Sequence, residues 1–162
     1  MNQEAIVQGI VCTLPLWGLA FGLDLLEERV PALQDVSKAT QRSVLAILGD
    51  QRRPLEAIVV CVALGVVAGI GEEWLFRGVL QTSLGDRIGV GPSLGLTSIV
   101  FGALHAVTPL YAALASLASL YFGYLYIGVS SSANDLNNLA MPMVCHGFYD
   151  VLALLYAHYT VT

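Results

Sequence analysis

The stretch IGVGPSLGLTSIVFGALHAVTPLYAALASLASLYFGYLYIGVSSSAN, residues 88 to 134, runs for 47 residues without an Asp, Glu, Lys or Arg. At roughly 20 residues per membrane span it is long enough for two helices. Thr108-Pro109 is the natural break between them, because proline opens a helix more readily than it continues one. His105 is the only readily ionisable side chain inside the run, tyrosines aside.

The rest of the chain has the same character. Of its 162 residues 56% are hydrophobic and 12% charged, with a mean hydropathy of +0.72. A water-soluble domain carries about 25% charged residues. Residues 5 to 23 are uncharged and form a first candidate span. The start, MNQE, lacks the basic region of a secretory signal, so this span is expected to be retained. Residues 24 to 56 hold most of the charges and read as a long loop with one surface helix over roughly 35 to 48. A second apolar run begins at Ala57 and reaches Leu80. QTSLGDR (81 to 87) reads as a short polar turn and SSANDLNN (131 to 138) as a polar loop. The last span covers about 139 to 159.

These segments predict an all-α fold, a polytopic transmembrane helix bundle of about five spans. A very apolar soluble bundle is set aside, because helices apolar all round need lipid or a large protein about them. No strand series alternates over barrel length. Five of the seven basic residues lie between 24 and 56, which places that loop on the cytoplasmic side. The net charge of -5 and the absence of a basic patch argue against nucleic acid as a partner. Cys12, Cys61 and Cys145 all sit in apolar runs with no close pair, the pattern of buried free thiols.

Ionisable groups at membrane depth are costly and point to function. Here they are Glu72, Glu73, Arg77, His105, His146 and Asp150. Glu73 and Arg77 are four apart and share a helix face, so they read as an ion pair. Glu72 lies about 100° around the helix and must point elsewhere, where it can serve as a general base. His105 sits among small residues near the middle of its expected span. His146 and Asp150 are again four apart, so the aspartate can orient the imidazole or bind a polar substrate group. His158 falls off that face and reads as interfacial. One carboxylate and two imidazoles can hold zinc, with Glu72, His105 and His146 as the ligands. The same groups can activate water and stabilise an oxyanion without metal. The metal-free form is preferred, because none of these ligand pairs has the short helical spacing of a zincin. HExxH and GxSxG signatures are both absent.

Three motifs then stand out. Glu72-Glu73-Trp74-Leu75-Phe76-Arg77 resembles the EExxxR motif of the CPBP intramembrane proteases. That family includes the Rce1-like CAAX prenyl proteases and proteins linked to bacteriocin processing or immunity. Phe101-Gly102-Ala103-Leu104-His105 resembles its FxxxH motif, and His146-Gly147-Phe148-Tyr149-Asp150 its HxxxN/D motif. The three occur in the family's order, over residues 57 to 160. The resemblance implies an intramembrane endopeptidase with Glu72 as base, His105 as its partner in holding water, and His146 with Asp150 at the oxyanion. Glu73 and Arg77 would be supporting. Asp150 stands where several members have asparagine. The implied division is an N-terminal transmembrane helix and loop (1 to 56) and a protease core (57 to 162). The expected partners are membrane lipid and a membrane-associated peptide or protein substrate, and the expected site of action is the plasma membrane. The competing expectation is a non-catalytic immunity or scaffolding protein that keeps the fold. A transporter is a weaker third reading, since no inverted repeat is evident.

Overall fold

A computed structural model describes residues 3 to 128 and 136 to 161, the side chains of 136 to 138 excepted. All regular structure among the described residues is helical. Helices α1 (Gln3–Val11) and α2 (Leu14–Asp24) form one 22-residue apolar stretch with a joint at Cys12-Thr13. Pro15 removes a backbone donor at that joint, and the Thr13 hydroxyl donates to the Ile10 carbonyl at 2.6 Å. Helix α3 (Pro31–Leu48) is the expected surface helix. It starts four residues earlier than expected, because proline suits a first helical position. It stops at Gly49, whose φ of 78° lies in the left-handed region glycine tolerates.

Next comes one continuous 35-residue rod, Pro54–Ile88. It comprises α4 (Pro54–Glu73), a π-helical segment (Trp74–Gln81) and α5 (Thr82–Ile88). The expected polar turn at 81 to 87 is therefore helix. The chain reverses only at Gly89, with φ of 88°. Helix α6 (Val90–Leu104) has 15 residues, and α7 (Pro109–Gly128) has 20, so the break at Thr108-Pro109 is where the sequence places it. Helix α8 (Leu136–Val161) is 26 residues long and carries Pro142 inside it. Of the expected polar loop at 131 to 138, residues 131 to 135 lie outside the described residues, and the backbone is helical from Leu136.

Among the described residues four stretches are long and apolar enough to cross a membrane: Gln3–Asp24, Pro54–Ile88, Pro109–Gly128 and Leu139–Val161. The chain is thus an integral, multi-pass α-helical membrane protein. The expected count of five meets a length limit at α6, about 22 Å long at 1.5 Å per residue against a hydrocarbon core of about 30 Å.

Helix α8 is the hub, packing on α4 most extensively and also on α1, α7 and α3; α6 pairs with α7. The α4–α8 seam follows from a four-residue rhythm. Cys61, Gly65, Gly69 and Glu73 are all buried along one stripe of α4. Small residues there let the backbones meet. A Cβ on Gly65 would lie 2.5 Å from the carbonyl oxygen of Gly147, and one on Gly147 would lie 2.6 Å from that of Gly65. The opposite side of α4 exposes Val59, Val66, Val67 and Ile70, the inverse of a soluble helix and the pattern of a lipid-facing one.

Candidate active site

Glu72 and Glu73 close α4 where the hydrogen-bond ladder changes to the π pattern. π segments leave backbone groups to be satisfied otherwise and recur at functional sites. Here the Thr82 hydroxyl reaches back five residues to the Arg77 carbonyl, at 2.8 Å. As neighbours on a helix, the two glutamates face different partners.

Glu73 faces inward. Its Oε2 lies 3.1 Å from Arg77 Nε, and both side chains are fully buried. Its Oε1 accepts a hydrogen bond from His146 Nδ1 at 2.8 Å. Arg77 Nη2 donates to the Ser119 carbonyl at 2.6 Å and to the Ser119 hydroxyl at 2.9 Å. The guanidinium also lies 5.4 Å from the Phe101 ring, 5.7 Å from Phe122 and 6.0 Å from Phe76. A buried cation is tolerable only when a counter-charge, acceptors and aromatic faces replace its water, and α4, α6 and α7 supply all three here.

Glu72 faces the other way, with Oε2 at 3.5 Å from His105 Nε2. That gap exceeds a hydrogen bond. Both side chains keep about a third of their surface, 33% and 31%. His105 is not in mid-span as expected. It terminates α6, because the helix unwinds ahead of Pro109. Its Nδ1 lies 2.8 Å from the Phe101 carbonyl. A carbonyl can only accept, so Nδ1 carries the hydrogen and Nε2 is turned to Glu72.

His146 is presented by α8 with Nδ1 on Glu73 and Nε2 3.4 Å from Asp150 Oδ2. Asp150 is 30% exposed. The ring stacks on Phe122 at 4.7 Å with 13° between planes. Phe101 stacks on His105 at 4.2 Å and stands 6.0 Å from His146, so one ring forms the wall between the two imidazoles. All six expected residues thus lie in one connected region. The tight orienting bond to His146 comes from Glu73, however, where the sequence suggested Asp150.

The zinc alternative is corrected by this geometry. Among the described residues no group of three His, Cys, Asp or Glu side chains is arranged to hold a metal ion. Zinc bound by Glu72, His105 and His146 would need a lone pair on a His146 nitrogen. Nδ1 donates to Glu73 and Nε2 faces Asp150, so neither nitrogen is turned to Glu72 and His105. The residues do not fit zinc.

Sequence reasoning missed Ser119 and Phe122, which hold Arg77 and His146. A serine among alanines and leucines gives no signal in α7. Phe101 was legible only as part of FxxxH. His158, expected at the interface, is instead buried at the end of α8, 5.6 Å from the Tyr159 ring.

The family model described as Type II CAAX prenyl endopeptidase Rce1-like matches residues 54–152. No curated protein and no solved structure matches the chain. The matched segment covers more than half of the sequence, opens with the first residue of α4 and ends two residues after Asp150. By that match this all-helical membrane protein belongs to the Rce1-like type II CAAX prenyl endopeptidases, a family of intramembrane proteases.

Proposed function

We propose that the chain hydrolyses a peptide bond of a membrane-associated protein or peptide, with water activated by Glu72 and His105. The observation that carries this is their 3.5 Å approach. With Nδ1 of His105 committed to Phe101, its Nε2 and the Glu72 carboxylate are two acceptors facing each other. A single water that donates one O–H to each reconciles them, and its oxygen is then the nucleophile. Glu72 Oε2 supports this, being an acceptor without a hydrogen-bond partner among the described residues. Glu72 takes the proton as the water attacks the carbonyl carbon. His146 stabilises the developing oxyanion as an imidazolium, its Nδ1 kept on Glu73 and its Nε2 hydrogen passing from Asp150 to the oxygen, while Asp150 orients that hydrogen beforehand. Glu73 and Arg77 hold His146 without touching substrate.

In this reading α6 is a fifth, short span and the protease core runs from 57 to 162, with 1 to 56 as an N-terminal helix and loop. The plasma membrane is the expected setting. The test is cleavage of a fluorogenic peptide library by the full chain in detergent. Glu72→Gln keeps the side-chain shape and removes the base, so turnover should vanish while circular dichroism stays native. Unchanged turnover would reject Glu72 as the base, and no cleavage by the parent chain would leave a binding protein with a protease fold.

A further inference from the structure

We propose that Ser119 is a positioning residue, acting through Arg77 and Glu73 to fix the ring of His146. It rests on the reading of His146 as the oxyanion-stabilising residue. Three residue-to-residue links form an unbroken chain from α7 to α8. Ser119 Oγ and O accept from Arg77 Nη2 at 2.9 and 2.6 Å, Arg77 Nε lies 3.1 Å from Glu73 Oε2, and Glu73 Oε1 accepts from His146 Nδ1 at 2.8 Å. Ser119, Arg77 and Glu73 have no exposed surface, and His146 has 6%. No water competes for these bonds, so each link depends on the next.

The serine is unlike its neighbour. A serine within a helix commonly turns its hydroxyl back on its own backbone. Ser116, one turn earlier on α7, does so, donating to the Ala112 carbonyl at 2.9 Å, and Ser98 on α6 does the same to Leu94 at 2.8 Å. The Ser119 hydroxyl instead accepts a hydrogen bond across the helix interface, from Arg77 Nη2. Arg77 depends on them. Among the described residues Nη1 and Nε have no hydrogen-bond partner, Nε meeting Glu73 as an ion pair, so the Ser119 pair supplies the hydrogen bonds that orient the guanidinium. Further along the seam Gln81 Nε2 donates to the Gly123 carbonyl at 3.4 Å, and the Thr82 and Tyr126 hydroxyls meet at 3.0 Å. Ser119 is the rung of this ladder nearest the site. Losing its hydroxyl leaves Nη2 one acceptor, frees the guanidinium to rotate, and loosens Glu73 and His146 in turn.

The test uses the full chain in detergent with histidine labelled by nitrogen-15 in the ring. The protein has three histidines, which His105→Ala and His158→Ala assign. Ser119→Ala should shift and broaden the His146 ring signals while His105 and His158 keep theirs. It should lower kcat on the cleaved library peptide about tenfold, the loss of one hydrogen bond to a charged group, with KM unchanged. Ser119→Thr should restore both. In an Arg77→Gln background, Ser119→Ala should cost nothing further, since its route is already cut. Unmoved His146 signals in Ser119→Ala would overturn the proposal, as would a full additive loss in the Arg77→Gln background. No cleavage by the parent chain would instead sink the proteolytic reading, and the His146 spectrum would still decide the role of Ser119.

Discussion

Gly69→Ala adds one methyl group at the closest approach of α4 and α8. Its Cβ would lie 2.5 Å from the Met143 carbonyl oxygen, 2.8 Å from the Gly147 nitrogen and 2.9 Å from the Gly147 Cα. All three are backbone atoms, so no side chain can swing aside. Carbon contacts settle near 3.5 to 4.0 Å, so the helices must part by roughly 1 Å. Glu73 is one turn further along the same stripe. Its 2.8 Å bond to His146 would then stretch past hydrogen-bonding distance. Overpacking costs about 1 to 3 kcal/mol, and loss of a charge-assisted hydrogen bond adds about 1.5 to 3 kcal/mol. At about 2 to 4 °C per kcal/mol for a chain of this size, the Tm should fall by about 10 °C. Gly71→Ala is the control. Nothing lies within 4 Å of its Cβ, and alanine favours a helix by about 1 kcal/mol over glycine, so that variant should melt no lower than the parent. Thermal melting by circular dichroism in one detergent measures both. If Gly69→Ala melts with the parent, the close seam between α4 and α8 is not what holds Glu73 against His146.

Arg77→Ala leaves Glu73 buried without its cation and should destabilise by about 3 to 5 kcal/mol, read as a lower Tm or loss of the folded peak in gel filtration. Asp150→Asn keeps a carbonyl oxygen 3.4 Å from His146 Nε2 and adds a donor, so turnover should stay within about tenfold of the parent. Asp150→Leu should abolish it, and equal rates for the two would remove Asp150 from the site. Exhaustive chelation should leave turnover of the purified chain unchanged; loss of activity restored by zinc would contradict the ligand geometry around His146.

The membrane character and most helix limits were legible, since uncharged length and proline position are local properties. The Glu73–Arg77 pair was legible too, because a four-residue spacing fixes a shared face whatever surrounds it. The run at 81 to 87 was not. Asp86 and Arg87 suggested a turn, yet a helix emerging from a bundle carries charge without breaking. The π segment gives no sequence signal, as its ladder depends on how Thr82, Gln81 and Arg77 meet α7. His105 at a helix end follows from Pro109 four residues later, a cue that was used for the break but not for the histidine. The direction of His146 was hidden for another reason. Two carboxylates, Glu73 and Asp150, could each orient it, and spacing within α8 favoured the one on its own helix. Packing at Gly65, Gly69 and Gly147 brings the other closer.

The π segment has a consequence for how this chain can vary over time. From Trp74 to Gln81 the ladder runs one residue out of step with the α-helices on either side. Deleting any one residue there would let the rod return to ordinary α-helix, with a more regular backbone. The segment takes up its one extra residue within itself, so α5 beyond it would keep its facing. Thr82 would stay beside Tyr126, whereas a deletion between Glu73 and Arg77 would set that buried pair three residues apart instead of four. The outward-facing Leu75 and Val79 are exposed and replaceable by other apolar residues. The segment is therefore open to exchange of its outward-facing letters throughout, and to the loss of one only beyond Arg77.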